Sequence, residues 1–244
     1  MDHFRAGIPL YIQIADSLAE QIEAGELAPG DRLPAERELS DQLAVTRMTL
    51  RQALHLLQGQ GLLVRKHGVG TFVADPKIER QADRLVPFTK GMQSRGLSAG
   101  ARVILFETRV AGLSTAKALQ LSLSAPIYYI VRLRLANQEP SMLEKLSLPA
   151  QRFAGFERHD LAARSVYEIL SSEYGVEVSR AEQSLEAAPA TSYEADLLQV
   201  SPGAPLMLER RVGFDQAGQP VETAKDLYRG DRFRFVTEIA LPTK

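Results

Sequence analysis

Two helical patterns in this sequence are separated by only two residues, Ala44 and Val45. The first pattern covers about residues 35–43 and the second about residues 46–60, each with apolar side chains at helical spacing. A connection of two residues allows only a tight turn between packed helices. The sequence therefore predicts a helix-turn-helix, whose second helix buries Leu50, Ala53, Leu54 and Leu57.

Elements on both sides complete a winged helix over residues 1–75. An apolar stripe at four-residue spacing predicts another helix over residues 9–24. Apolar runs at 62–65 and 71–73 flank a turn that contains two glycines, which is typical of a two-stranded hairpin. Pro76 then marks a boundary, and the charged residues 76–84 are predicted to be a linker.

Charge is distributed unevenly within this predicted domain. Residues 1–41 contain nine acidic and three basic side chains, whereas residues 42–74 contain no Asp or Glu. The second stretch favours a short basic surface, although the whole chain has 29 basic and 30 acidic residues and a net charge of −1. Charge alone leaves open the alternative of a mostly buried segment with a few solvated arginines.

Three arginines of this domain have the chemistry of DNA contacts. Arg47 and Arg51 lie four residues apart on one helix face, and guanidinium groups can bind guanine O6 and N7. Thr49 suits a phosphate or a thymine methyl group, and Arg37 suits a contact at the edge of the groove. The alternative is that the arginines are solvated and paired with nearby acids such as Glu36.

Residues 9–75 resemble the winged-helix domain of GntR-family transcription regulators. The matching runs are PLYIQI at 9–14, GDRLPAEREL at 30–39, VTRMTLRQAL at 45–54 and GVGTFV at 68–73. The resemblance implies contacts with operator DNA for Arg37, Arg47, Thr49, Arg51 and Gly68, to which we add His67 in the same turn. It also implies short palindromic operators in double-stranded DNA, and therefore a homodimer.

From residue 85 onward the pattern changes to strands with interspersed helices. Strands are predicted at 103–110, 127–135, 142–148, 176–187, 206–214, 221–228 and 233–239. Their mixed order and hairpin links predict an α+β domain with an antiparallel sheet over residues 85–244. LQLS at 119–122 and LQVS at 198–201 are each followed by Ala-Pro and a strand. This repeat predicts two pseudo-symmetric halves with a ligand cleft between them, unless it arises by chance.

Charged side chains of these strands form the pattern of an anion pocket. Arg132 and Arg134 lie two residues apart, so both point to one face of a strand and suit a phosphate or carboxylate. Glu144 and Glu222 stand at even offsets in the two repeats and can accept hydrogen bonds from sugar hydroxyl or amine groups. Ser165 at a predicted helix start adds a hydroxyl and free backbone N–H groups. A salt-bridged network between strands is the alternative.

Residues 85–244 resemble the UTRA effector domain of the HutC subfamily, whose fold is similar to chorismate lyase. The pattern is most similar to that of N-acetylglucosamine-utilisation repressors, which bind glucosamine-6-phosphate or N-acetylglucosamine-6-phosphate. The resemblance implies an effector site formed by Phe88, Thr89, Lys90, Arg132, Arg134, Glu144, Ser165, Tyr167, Glu222 and Tyr228. Lys90-Gly91 and Lys145-Leu146 depart from that pattern. Another sugar phosphate, an organic acid or a urocanate-like ligand therefore stays an alternative.

Other function classes lack their residues in this sequence. It has no cysteine, no Gly-x-Ser-x-Gly and no histidine spacing of a metal site, so we expect no metal and no cofactor. No apolar run approaches the ~20 residues of a membrane span, and the N-terminus lacks a secretory signal. We expect a cytoplasmic, homodimeric, effector-controlled repressor of a sugar-utilisation operon. The alternatives are an enzyme of chorismate-lyase-like fold and a DNA-binding protein whose second domain senses nothing.

Overall fold

The structure is a computed structural model that describes residues 7–66 and 68–240. The chain divides into two compact units. The first runs to Ile78 and also includes Gly230–Arg234, and the second takes Glu79–Arg229 and the residues from Phe235 onward. Among the described residues, no helix is both long and apolar enough to cross a membrane.

The first unit has the winged-helix architecture that the sequence predicts. Its elements are the helices α1 (Leu10–Glu23), α2 (Glu36–Gln42) and α3 (Arg47–Gly59) and the strands β1 (Leu63–Lys66) and β2 (Gly70–Val73). Ala44, at a φ of 52°, lies in the tight turn between α2 and α3, and Thr46 is the N-cap of α3. The antiparallel pair β1 and β2 forms the wing. His67, predicted to contact DNA from its tip, lies outside the described residues.

The apolar faces of the three helices form the core of this unit. Leu50 and Leu57 of α3 are fully buried, and Ile14 and Leu18 of α1 belong to the same cluster. The buried positions of α3 recur at three- and four-residue spacing, so they occupy one side of the helix. The opposite side of α3 is therefore left to face outward.

Part of the predicted linker has regular structure. Ile78–Gln81 forms a strand, β3, which pairs with β10 (Phe233–Val236) in a two-stranded sheet. The partner strand lies near the other end of the chain, so no local pattern could indicate this pairing. The linker limits at 76 and 84 stay a prediction.

The second unit is built on a six-stranded antiparallel sheet in the order β4-β5-β6-β9-β8-β7. The strands are β4 (Ala99–Val110), β5 (Pro126–Ala136), β6 (Glu139–Pro149), β7 (Val178–Pro189), β8 (Pro205–Asp215) and β9 (Pro220–Arg229). The helices are α4 (Phe88–Gln93), α5 (Leu113–Leu119), α6 (Val166–Tyr174) and α7 (Ser192–Leu198). The predicted α+β architecture with an antiparallel sheet is confirmed, and six of the seven predicted strands form this sheet. The seventh, predicted at 233–239, corresponds to β10, which pairs with β3 instead.

The repeated sequence motif corresponds to a repeated structure. The series β4-α5-β5-β6 and β7-α7-β8-β9 have the same order of elements, and β6 pairs with β9 at the centre of the sheet. Gln120 and Gln199, which end α5 and α7, both have a φ of 55°. The motif therefore encodes the same helix end and the same following strand in both halves.

Helices cover both faces of the sheet. On one face α5 packs near Ile127 and α7 packs near Leu133. On the other face α6 packs against Ile130 and Ala224. Because alternate residues of a strand share a face, Arg132 lies on the same face as Ile130 and α6.

Candidate DNA-contact surface and effector pocket

The outward side of α3 carries the predicted DNA contacts. Arg47 and Arg51 are both exposed. The Nε atom of Arg51 donates to the Glu36 carboxylate at 2.6 Å, and Arg65 of the wing approaches the other oxygen of Glu36 at 3.9 Å. Arg51 therefore has the acidic neighbour that the alternative interpretation expects, but an exposed ion pair contributes little stability. The Nη1 and Nη2 atoms of Arg51 lie farther along the side chain than the Nε atom that makes this bond.

The other predicted DNA contacts differ in whether their polar groups already make hydrogen bonds within the protein. Thr49 Oγ1 lies 2.9 Å from the hydroxyl of Thr46, the N-cap that also accepts the Thr49 backbone N–H at 3.2 Å. The Thr49 hydroxyl is thus engaged in the cap of α3. Arg37 is exposed on α2, and Gly68 adopts a φ of 71° in the wing turn, a conformation that favours glycine.

Two further residues lie on the outward side of α3 beside the predicted contacts. Met48 and Gln52 are exposed and lie opposite the buried Leu50 and Leu54. At 100° per residue both positions point away from the core. Helical periodicity contains this signal, which the charged positions and the threonines alone do not show.

The predicted effector residues converge on the α6 face of the sheet. A cavity of about 30 Å³ lies there, bounded by β5, β6, β8 and β9 and by the segment that leads into α4. Its lining includes Arg80, Val86, Phe88, Arg132, Arg134, Glu144, Ser165, Tyr167, Arg211, Asp226 and Tyr228. We call this site the effector pocket. This volume has room for about one water molecule, so the pocket is too small for an organic ligand in this structure.

Arg132 donates its hydrogen bonds to other groups of the protein interior. Its Nε atom donates to Glu144 at 2.5 Å, and its Nη1 atom donates to the carbonyl oxygens of Leu161 at 3.1 Å and Arg164 at 3.3 Å. The residue is only 1% exposed. For Arg132 the geometry therefore matches the salt-bridged network that was the alternative to a phosphate contact.

Arg134 has donor capacity left for a ligand. Its Nη2 atom donates to Thr89 at 2.9 Å, and its guanidinium carbon lies 4.6 Å from the centre of the Phe88 ring. The distance from Nη1 to the nearer Glu144 oxygen is 3.7 Å, and the buried Nε atom has no hydrogen-bond partner. Ser165, the N-cap of α6, makes no capping bond through its side chain. Both side chains line the pocket with polar groups that can still bind.

A second arginine centre lies beside the first. Arg211 of β8 contacts Glu222 at 2.9 Å, Glu209 at 3.1 Å and Asp226 at 3.2 Å. Tyr167 donates its hydroxyl hydrogen to the same Glu222 oxygen at 2.8 Å. Burial beside Glu222 raises the pKa of Tyr167 well above its ordinary value, so this hydroxyl stays protonated.

The sequence analysis missed Arg211, although the repeat could have indicated it. Arg211 stands as far after Leu198 as Arg132 stands after Leu119. The two arginines are therefore equivalent positions of the two halves. Asp226 was missed as well, and it faces Glu144 across the central β6–β9 pair.

Burial and the arginines act in opposite directions on these carboxyl groups. Burial by itself raises the pKa of Glu144, but Arg132 and Arg134 hold that pKa below its ordinary value. Burial raises the pKa of Asp226 well above its ordinary value, and Arg211 offsets only part of the rise. A protonated Asp226 reduces the negative charge that opposes the arginines. The pocket then suits an anion.

One predicted effector residue lies apart from the pocket. Lys90 is exposed on α4 and is not among the residues that line the cavity. Glu222 and Thr89 do not line it either, but each is bonded to a lining residue, Tyr167 and Arg134 respectively. The ligand contacts of all these residues stay predictions.

Comparison with known proteins matches both units. Residues 10–73 match the family of bacterial regulatory proteins named gntR, and residues 94–234 match the UTRA domain. The HTH-type transcriptional repressor NagR of Bacillus subtilis is 40% identical over 94% of this chain and 94% of its own. The mannosyl-D-glycerate transport/metabolism system repressor MngR of Escherichia coli is 29% identical over 93% and 94%.

A solved structure agrees with the fold. The crystal structure of PhnF from Mycobacterium smegmatis is 30% identical and covers 96% of this chain and 100% of its own, with a TM-score of 0.67. The relatives named above are transcriptional repressors, and the matched family is one of regulatory proteins rather than enzymes. The chain belongs to the GntR family of bacterial regulatory proteins and is a DNA-binding transcription regulator with a C-terminal UTRA effector domain.

Proposed function

We propose that this regulator is a homodimeric repressor of a sugar- or amino-sugar-utilisation operon and that a sugar phosphate releases it from its operator. Glucosamine-6-phosphate and N-acetylglucosamine-6-phosphate are the first candidates, because the pattern of effector residues resembles that of N-acetylglucosamine-utilisation repressors. The similarity to NagR and MngR supports a role in sugar metabolism. Since a bacterial operator is chromosomal DNA, we expect the protein to act in the cytoplasm.

The observation that supports this ligand class is a set of unpartnered polar atoms around the effector pocket. Arg134 Nε is a buried donor without a hydrogen-bond partner, and Glu222 Oε2 is a buried carboxyl oxygen in the same condition. Buried polar groups that lack a partner destabilise a protein, so such groups favour a ligand that satisfies them. The donor requires an anionic or acceptor group, and the Glu222 oxygen requires a hydroxyl or amine donor.

A sugar phosphate provides both kinds of group in one small molecule. A simple organic acid without a hydroxyl or amine group provides the anion but no donor for the Glu222 oxygen. Inorganic phosphate likewise leaves the sugar side of the pocket unsatisfied. The predicted order of affinity is therefore sugar phosphate first, then sugar or phosphate alone.

The small volume of the pocket supports an allosteric mechanism. A cavity of about 30 Å³ cannot hold a sugar phosphate, so the wall must move when the effector binds. Val86, Pro87 and Phe88 belong to that wall, and the chain from β3 leads directly into them. We infer that the effector favours an arrangement in which this segment is displaced, and that the two recognition helices of the dimer then lose the spacing required by the operator.

Calorimetric titration of the full-length protein tests the ligand class. Glucosamine-6-phosphate should bind, whereas glucosamine and inorganic phosphate should bind at least about tenfold more weakly, the factor that follows from losing ~1.4 kcal/mol of polar contacts. Arg134→Gln should abolish binding of the sugar phosphate, while Glu144 stays paired with Arg132. Arg180→Gln is the matched control, because Arg180 is exposed on β7 and pairs with Glu182. Equal binding by both variants would refute the proposed pocket.

A further inference from the structure

The exposed side of α3 carries one prominent apolar side chain. Met48 is 65% exposed, which is more than the other exposed large apolar residues described in the first unit: Ile8 (41%), Val64 (42%) and Val69 (52%). A single exposed apolar side chain is common on protein surfaces and by itself needs no explanation. The position of Met48 gives it significance, because it is the second residue of α3.

Met48 is an exposed apolar residue among polar neighbours at the start of this helix. Arg47 before it is exposed, and Thr49 after it has its hydroxyl engaged with Thr46. Arg51, one turn later, is held by Glu36 through Nε. A flexible, largely exposed thioether side chain therefore lies between Arg47 and Arg51 in the first turn of the helix.

We propose that Met48 is a specificity-determining residue that contacts the C5-methyl group of a thymine in the operator. The N-terminal residues of a recognition helix meet base edges in the major groove, where only thymine among the four bases presents a methyl group. The unbranched, polarizable methionine side chain adapts its shape to such a contact. The thymine lies next to the base pair that Arg47 contacts. This inference rests on the proposed docking of α3 in the major groove.

Replacement of thymine by uracil tests the contact, because uracil lacks only the methyl group. An operator duplex is selected from random DNA with the wild-type protein, and each thymine is then replaced by uracil at symmetric positions of both half-sites. Fluorescence anisotropy at fixed salt measures the affinity of the full-length protein for each duplex. At one symmetric pair of positions the wild-type protein should bind uracil DNA about fourfold more weakly per half-site, the effect of burying one methyl-sized group.

Three variants decide the outcome. Met48→Ala should bind the thymine and uracil duplexes equally, and Met48→Leu, which keeps an apolar tip, should retain most of the difference. Val64→Ala removes an exposed apolar side chain from β1 instead and should keep the full wild-type difference. An unchanged difference in Met48→Ala, or no sensitive thymine in the wild type, would overturn the proposal. If Arg47→Ala retained sequence-specific binding, the docking of α3 itself would be wrong, and this result is distinct from failure of the methyl contact.

Discussion

Substitution of Arg132 by methionine should destabilise the second unit strongly. Glu144 is 8% exposed and bonds to Arg132 at 2.5 Å, so the substitution leaves a buried carboxylate without its main partner. Removing one member of a buried ion pair typically costs about 3–5 kcal/mol. Arg134, at 3.7 Å from Glu144, compensates only in part. We expect a loss near 3 kcal/mol at pH 7.

The loss should depend on pH in a specific direction. Without Arg132, burial dominates and raises the pKa of Glu144 in the folded variant. A raised folded pKa means that stability is regained as the pH falls towards the ordinary glutamate value. The penalty of Arg132→Met should therefore shrink between pH 7 and pH 5. The double variant Arg132→Met/Glu144→Met should recover at least half of it, because both charges are gone.

Hydrogen exchange followed by mass spectrometry measures this effect within one unit of a two-unit chain. Peptides from β5 and β6 report the opening of the sheet, and a loss of about 3 kcal/mol corresponds to a roughly hundredfold faster exchange at pH 7. Peptides from α1 should exchange as in the wild type. An acceleration below fivefold, or no recovery in the double variant, would refute the interpretation of Arg132 as an internal anchor.

The remaining predictions concern DNA recognition and proton binding. Arg47→Ala should abolish sequence-specific DNA binding in an anisotropy assay while circular dichroism stays unchanged, because Arg47 is exposed and contributes little to the fold. Thr46→Ala removes the N-cap of α3 and should lower the free energy of unfolding by about 1 kcal/mol in urea denaturation. Burial raises the pKa of Asp226, so the folded protein retains a proton that the unfolded chain loses. Above the ordinary aspartate pKa, the free energy of unfolding of the wild type should therefore fall by up to about 1.4 kcal/mol for each unit of rising pH. Asp226→Asn should lack that contribution as the pH rises above the ordinary aspartate pKa, and an identical pH dependence would contradict the assignment.

The elements that the sequence predicts well are those with a local pattern. The apolar spacing of α3 follows from burial of one side, and the nearly continuous apolar run of β5 follows from burial on both faces of the sheet. Both elements were located to within two residues. The repeated motif that contains Gln120 and Gln199 is also a local pattern. It predicts the pseudo-symmetry of the two halves, because similar local sequences end their helices in the same way. Local patterns therefore account for most of the fold.

Elements that depend on distant partners were not predictable in this way. β3 is a charged segment whose regular structure comes from pairing with Phe233–Val236. In the effector pocket, even spacing predicted that Arg132 and Arg134 share a face of the strand. It could not show which of the two guanidinium groups is occupied by hydrogen bonds within the protein. Leu161 and Arg164, whose carbonyl oxygens bind Arg132, come from a loop with no pattern that points to this role. The roles of the two arginines differ because of that loop.

The central claim is that a sugar phosphate bound near Arg134 releases operator DNA. The most direct test is fluorescence anisotropy of a labelled duplex from the upstream region of the gene, titrated with glucosamine-6-phosphate at fixed salt. The wild-type protein should bind the duplex and release it as the sugar phosphate is added, whereas Arg134→Gln should bind it equally well and stay bound. Continued tight binding of the wild type at saturating sugar phosphate, or equal release of both proteins, would contradict the account.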